Sequence, residues 1–302
     1  MIVTIARWTQ KNLRKLAADT NAAQLLTIPY SHYCEFARWT LEANGVAYDE
    51  HGYPPGGHVL PALSLRLGGN EKHLSNSSKV QAVGKPPRRT HATAVPAVVM
   101  PTGNVFADSW QAAEALFPPE KIRHIEGLKE FLDQRIGILT RQFVYISLFR
   151  PDNDNVWDGL CYEDGGFVFK IFWRLGLKGW LTSQMQNTFQ TNNEIENKKC
   201  LDGLLEAFEH IDRRWLEGIG EGEYLGGTEP CMEDYAMASL CAPVILPRWY
   251  CGGQYAHFFD KLMEQDSEFS SIVHQLRDTK CGKHSMNMYN MHRSRSGLRA
   301  LL

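Results

Sequence analysis

Apolar positions change rhythm twice along the chain. Gln24-Leu25-Leu26-Thr27-Ile28 is a short, nearly continuous apolar run closed by Pro29, which predicts a buried strand. Directly after it, Tyr33, Phe36, Ala37, Thr40 and Leu41 recur at helical spacing behind Ser31, a favoured N-cap residue. That pattern ends at Asn44-Gly45, where glycine can take the left-handed position past a helix end. Val46 to Tyr53 reads as a second strand broken by Pro54-Pro55-Gly56-Gly57, which completes a βαβ unit. Residues 54–93 are punctuated by Pro, Gly and Ser around one weak helical pattern, Val59 to Leu67, and read as a long irregular insertion. Thr93 to Met100 and Asn104 to Ala107 are two β-type runs joined by Pro101-Thr102-Gly103, a hairpin signal, and Asp108-Ser109 caps a helix from Trp110 to Leu116.

Past Pro118-Pro119 the period lengthens to that of helices: Ile122 to Arg135 and on to Leu148, Glu194 to Leu216, Met232 to Ile245, and Tyr255 to Glu264. Pro151 to Gly166 reads as an interrupting loop. The expected organisation is an N-terminal extension over 1–22, an α/β domain over 23–117 with its insertion at 54–93, an all-helical domain over 120–279, and a loosely held tail or surface strap over 280–302.

Composition narrows the partners. Lys+Arg of 32 against Asp+Glu of 34 gives a formal net charge of -2, so no basic field exists to hold nucleic acid or an anionic bilayer, and neither is expected as a partner. No apolar run approaches the roughly 20 residues of a membrane-spanning helix. The seven cysteines, at 34, 161, 200, 231, 241, 251 and 281, have no metal-binding spacing. They suit reduced thiols in a cytoplasmic setting, and no metal is expected. Met1 to Asn21 carries Arg7, Lys11, Arg14 and Lys15 against Asp19, a bias also found in organelle transit segments, and reads first as an ordinary N-terminal helix or arm. His51, His58, His73 and His91 lie in or beside the insertion and read as surface residues, and Gly218, Gly220 and Gly222 read as a plain loop.

The order βαβ, insertion, ββα, then helices, resembles a thioredoxin-like domain followed by the all-α domain of the cytosolic glutathione transferases. Local motifs carry the resemblance further. Ser31 to Leu41 is similar to that family's S-x-x-x-x-x-x-R-x-x-L signature; Val95-Pro96 and Asp108-Ser109 stand where the family has a Val-Pro turn and a Glu-Ser or Asp-Ser pair. Tyr224-Leu225-Gly226-Gly227 followed by Cys231-Met232-Glu233-Asp234 is similar to its Y-L-x-G and S/T-x-x-D helix cap, with Cys231 in place of the usual hydroxyl.

This resemblance implies glutathione as cosubstrate, an apolar electrophile as second substrate, and a homodimer. It implies that Ser31 stabilises the bound thiolate, helped by the amino end of the following helix; Tyr30 is the competing hydroxyl. It further implies that Val95 and a cis Pro96 meet the cysteinyl part of glutathione, that Asp108 and Ser109 meet its γ-glutamyl end, and that Tyr33 lies at the same site. The usual cation for the glycyl end has no clear counterpart; Lys85, in the insertion, is the candidate. Phe143, Tyr145, Phe149 and Trp157 are candidate walls of the electrophile pocket, although aromatic residues at helical spacing also build cores. Cys34, three residues after Ser31, reads as a small buried side chain. The alternatives are a glutathione-dependent reductase working through Cys34 and a non-catalytic binding module on the same fold.

Overall fold

The computed structural model describes residues 12–67, 94–162, 165–220 and 222–293. Residues 12–20 form helix α1, followed by β1 (Ala23–Thr27), α2 (His32–Ala43), β2 (Tyr48–Gly52), α3 (Val59–Leu67), β3 (Ala97–Val99), β4 (Val105–Phe106) and α4 (Ser109–Leu116). The four strands lie in the order β2-β1-β3-β4. β2 runs parallel to β1, while β3 and β4 are successively antiparallel. Helices cover both faces of this sheet, which explains the unbroken apolar run in β1: Leu25 packs with Ala37, Leu41 and Ala112 on one side, and Leu26 with Leu13, Ala17, Ala62 and Leu65 on the other. Gly45, at φ 64°, ends α2 as the sequence suggests.

The helical domain comprises α5 (Leu128–Phe131), which passes through a widened turn at Leu132–Ile136 into α6 (Gly137–Leu148), then α7 (Asp154–Tyr162), α8 (Phe167–Phe172), α9 (Lys178–Phe189), α10 (Glu194–Arg214), α11 (Met232–Ile245), α12 (Ala256–Gln265), α13 (Ser267–Asp278) and α14 (Lys280–His292). Helix α11 is buried at every residue, packed against α2, α6 and α14, so it joins the two domains. No helix among the described residues is long and apolar enough to cross a membrane.

Residues 12–20 of the N-terminal segment form a helix, one of the two forms read there, and it buries Leu13 and Ala17 against the sheet. Three sequence expectations are revised. The first helix of the second domain starts at Leu128, because Gly127 sits at φ 72° and interrupts the pattern before it. The region read as a loop from Pro151 to Gly166 contains α7, whose Val156, Trp157, Leu160 and Cys161 are core residues. The largest revision concerns the supposed tail: residues 280–292 are α14, with Cys281, Met288 and Tyr289 fully buried. Its apolar face is written in Cys, Met and Tyr, spaced i, i+7, i+8, and contains no Leu, Ile or Val to announce it.

Candidate active site

A cavity of about 220 Å³ opens between the two domains. Its first wall comes from the loop between β1 and α2. Ile28, Tyr30, Ser31, His32 and Tyr33 all line it. Ser31 occupies the N-cap position of α2 with extended backbone angles, φ -79° and ψ 130°, yet its hydroxyl makes no capping bond. The side chain stands instead at the cavity wall, within hydrogen-bonding reach of the Cys34 thiol one turn inside the helix.

The loop is tied from both sides. Arg38 Nη2 donates to the Pro29 carbonyl at 2.6 Å, and Tyr250 Oη donates to the Tyr30 carbonyl at 2.6 Å. The side chain of Tyr30 turns into the helical domain, where its ring meets Tyr255 edge-on and its hydroxyl approaches Cys161; burial raises the phenol's pKa well above its ordinary value. That environment opposes Tyr30 as a thiolate donor. His32 is buried with Nε2 2.9 Å from the Gly137 carbonyl, and desolvation followed by the nearby Arg141 charge lowers its pKa to about 3, so it is neutral. Tyr33 donates to the Asp133 carbonyl at 3.1 Å and packs its hydroxyl against Gly137. Gly137→Ala would drive a methyl into that hydroxyl. It should cost about 1–3 kcal/mol, read as a lower urea midpoint with unchanged m-value.

The second wall comes from β3 and α4. The Val95–Pro96 peptide is cis, and both residues line the cavity beside Ala107, Asp108 and Ser109. Asp108 caps α4 by accepting from the Gln111 amide at 2.9 Å, while Ser109 is buried in the first turn. Asp133, reaching in from the helical domain, has its pKa raised to about 6 by burial and by the neighbouring Asp108 charge. The two carboxylates give this end of the cavity an acidic character.

Ile138, Val144, Tyr145, Leu148, Leu160 and Phe259 form an apolar third wall, with Arg141 among them. Of the four aromatic candidates, only Tyr145 faces the cavity. Phe143 stacks on Phe269, Phe149 on Tyr145, and Trp157 is buried with its indole donating to Thr182 at 3.0 Å, so these three build core.

Ser31, Tyr33, Val95, Pro96, Asp108 and Ser109 therefore converge on one cavity, while Lys85 lies outside the described residues. Two further sequence readings are settled here. His58 is no surface histidine: it lines the cavity, and burial lowers its pKa. Cys34 is fully buried, with desolvation pushing its thiol up to about 11, so it is no low-pKa nucleophile. Sequence reasoning missed Asp133, Arg141 and Tyr250. The charges at 133 and 141 interrupt otherwise apolar helix faces, a signal that was available; Tyr250 lies in an irregular turn and gave none.

A thioredoxin-like sheet domain, an all-helical domain behind it, and a cavity at the amino end of the first domain's second helix together define the glutathione transferase fold. A glutathione S-transferase of Ceriporiopsis subvermispora, solved in complex with glutathione, is similar with a TM-score of 0.50 and 15% identity over 89% of this chain and 96% of that one. A glutathione transferase of Phanerochaete chrysosporium is similar at TM-score 0.48 and 12% identity over 84% and 96% of the two chains. One of Pseudomonas putida, with one glutathione disulfide bound per subunit, is similar at 0.44 and 13% over 92% and 97%. No protein-family model and no curated relative matches the sequence.

Proposed function

We propose that the chain is a glutathione transferase-like enzyme in which Ser31 stabilises the thiolate of bound glutathione for attack on an apolar electrophile. The observation that carries this reading is the position of Ser31: a hydroxyl at the amino end of α2, lining the cavity and uncommitted to capping. A free thiol near pKa ~8.5 is mostly protonated at neutral pH and nucleophilic only as the anion. Lowering it by about two units takes roughly 2.7 kcal/mol, within reach of one charge-assisted hydrogen bond plus the unpaired amides and dipole of a helix start.

The remaining walls fit the rest of the tripeptide. Backbone groups beside the cis peptide can pair with its cysteinyl unit, the amides and hydroxyl at the start of α4 with its γ-glutamyl carboxylate, and Asp108 and Asp133 with its ammonium group. The apolar wall would hold the electrophile. The buried, protonated state of Cys34 works against a thiol-reductase cycle. Ser31→Ala should lower kcat/KM for conjugation about 100-fold while the glutathione dissociation constant, read by calorimetry, changes little. An unchanged rate removes Ser31 from the chemistry, and absence of glutathione binding in the unaltered protein leaves only a binding module on this fold.

A further inference from the structure

Five of the nine large apolar side chains left exposed among the described residues fall between positions 167 and 180: Phe167, Ile171, Phe172, Leu175 and Trp180. A sixth, Leu60 of α3, joins Phe172, Leu175 and Trp180 in lining one surface groove. These six show between 42% and 79% of their surface. The core does not require them. The chain from α8 into the turn after it already sends Phe169 and Trp173 inward; Trp173 is buried, stacks on Phe169 and donates from its indole to Asp158 at 2.8 Å. Phe167 and Ile171 stand one helical turn apart on another, exposed side. A helix that is apolar on two sides, with only one of them covered, is built to meet a further apolar phase.

The charge pattern identifies that phase. Residues 165–193 hold Lys170, Arg174 and Lys178 and no Asp or Glu. Lys178 is committed to Asp154 and Asp158 of α7, at 2.6 and 2.8 Å. Lys170 and Arg174 have no carboxylate partner among the described residues: Lys170 lies 5.7 Å from the centre of the Tyr162 ring, and Arg174 donates to the Tyr162 hydroxyl at 2.8 Å. A second copy seated here would bring two such faces together with no carboxylate from residues 165–193 to offset the cations. An anionic lipid surface matches instead, because aromatic and aliphatic side chains enter the boundary between headgroups and acyl chains while the cations meet phosphate and carboxylate groups. The formal net charge of -2, which spoke against an anionic bilayer, averages over the whole chain and conceals this stretch.

We propose that the exposed face of α8 and α9, together with Leu60, is a peripheral docking surface for a bilayer containing anionic phospholipid. Gly57 and Leu60 line the groove and His58, between them, lines the interdomain cavity, so groove and cavity share one turn of chain. The docking stands independently of whether the cavity performs conjugation. Flotation of the full chain with vesicles tests it. The unaltered protein should bind vesicles of phosphatidylcholine with about 30 mol % phosphatidylserine about tenfold or more tighter than vesicles of phosphatidylcholine alone. Phe167→Ser combined with Leu175→Ser should lower binding to the anionic vesicles at least about tenfold, and Lys170→Gln combined with Arg174→Gln should abolish the preference for them. Ile195→Ser, at an exposed apolar position on α10 outside this stretch, should change nothing. A urea midpoint matching the parent's shows that each variant is folded. Absence of vesicle binding by the unaltered protein, equal binding to both kinds of vesicle, or binding that both double variants retain overturns the proposal. So does a concentration-dependent dimer that Phe167→Ser with Leu175→Ser dissolves, for then a second copy occupies the face.

Discussion

Replacing Glu35 by Gln should destabilise the protein by about 3 kcal/mol at neutral pH, the usual cost of breaking a buried ion pair by removing one partner. Glu35 lies on α2 with no exposed surface, between two guanidinium groups. Arg293 Nε donates to Oε1 at 3.0 Å and Arg38 Nη1 to Oε2 at 3.1 Å, while Tyr289 donates to the same carboxylate at 3.2 Å. Arg38 also pairs with Glu50 at 2.6 Å and holds the Pro29 carbonyl, and Arg293 also pairs with Glu42. Burial alone would raise the carboxyl's pKa; Arg293 and Arg38 outweigh it and bring the value below the ordinary one. A depressed folded pKa contributes stability that is complete above the unfolded value, about 4.3, and is lost as pH falls through the lower folded value. The difference in Tm between variant and parent should therefore be constant above about pH 6 and close on acidification below about pH 4. Thermal melts across that range check it, and a difference that widens on acidification removes the ionised cluster as its source.

Because Arg38 reaches from this cluster to the loop carrying Ser31, the proposed function adds that the same substitution should slow conjugation more than it weakens glutathione binding. The expected loss in kcat is about tenfold, since sub-ångström displacement of a positioned donor is felt mainly in the transition state.

Asp234→Ala should cost at least about 3 kcal/mol, with Asp234→Asn recovering part of it. Its carboxylate, in the first turn of α11, accepts from the amides of Cys231 at 2.8 Å, Leu225 at 2.9 Å and Gly226 at 3.2 Å, and His284 Nε2 stands 2.9 Å away. Removing it strands one buried amide and two half-buried ones, a fully buried bond left unmade costing about 1–3 kcal/mol. These bonds fold the Tyr224-Leu225-Gly226-Gly227 turn onto the helix that joins the domains, so the urea midpoint should fall sharply. His284 and the amides hold the carboxyl below its usual range, so this contribution too is present above the unfolded pKa near 3.9 and disappears below it.

The parts of the fold legible in sequence are those whose signals are local. β1 showed itself as an apolar run because both its faces are covered; α2 and α4 were bounded by Ser31, Gly45 and Asp108; the hairpin turn was marked by Gly103, which adopts φ 85°. Asp234 was legible as a structural carboxylate from its place three residues into a helix. Elements defined by distant partners were not legible. The buried face of α14, made of Cys, Met and Tyr, packs on α11 and sets Tyr289 against Trp39 of α2, and nothing within its own segment reveals that. The site divides the same way: its first-domain residues sit in recognisable turns, whereas Asp133, Arg141 and Tyr250 acquire meaning only once helices from far along the chain close over the loop.

The bond between Arg293 and Glu35 spans 258 positions. On a ribosome, α2 emerges early and carries a carboxylate whose second cation is synthesised only after nearly all the intervening chain. Until then the nascent first domain holds an incompletely neutralised charge beside the loop that bears Ser31. The order of synthesis thus makes the finished site depend on the residue that closes α14, the last of the described helices, and a polypeptide interrupted before it would carry the loop without its fastening.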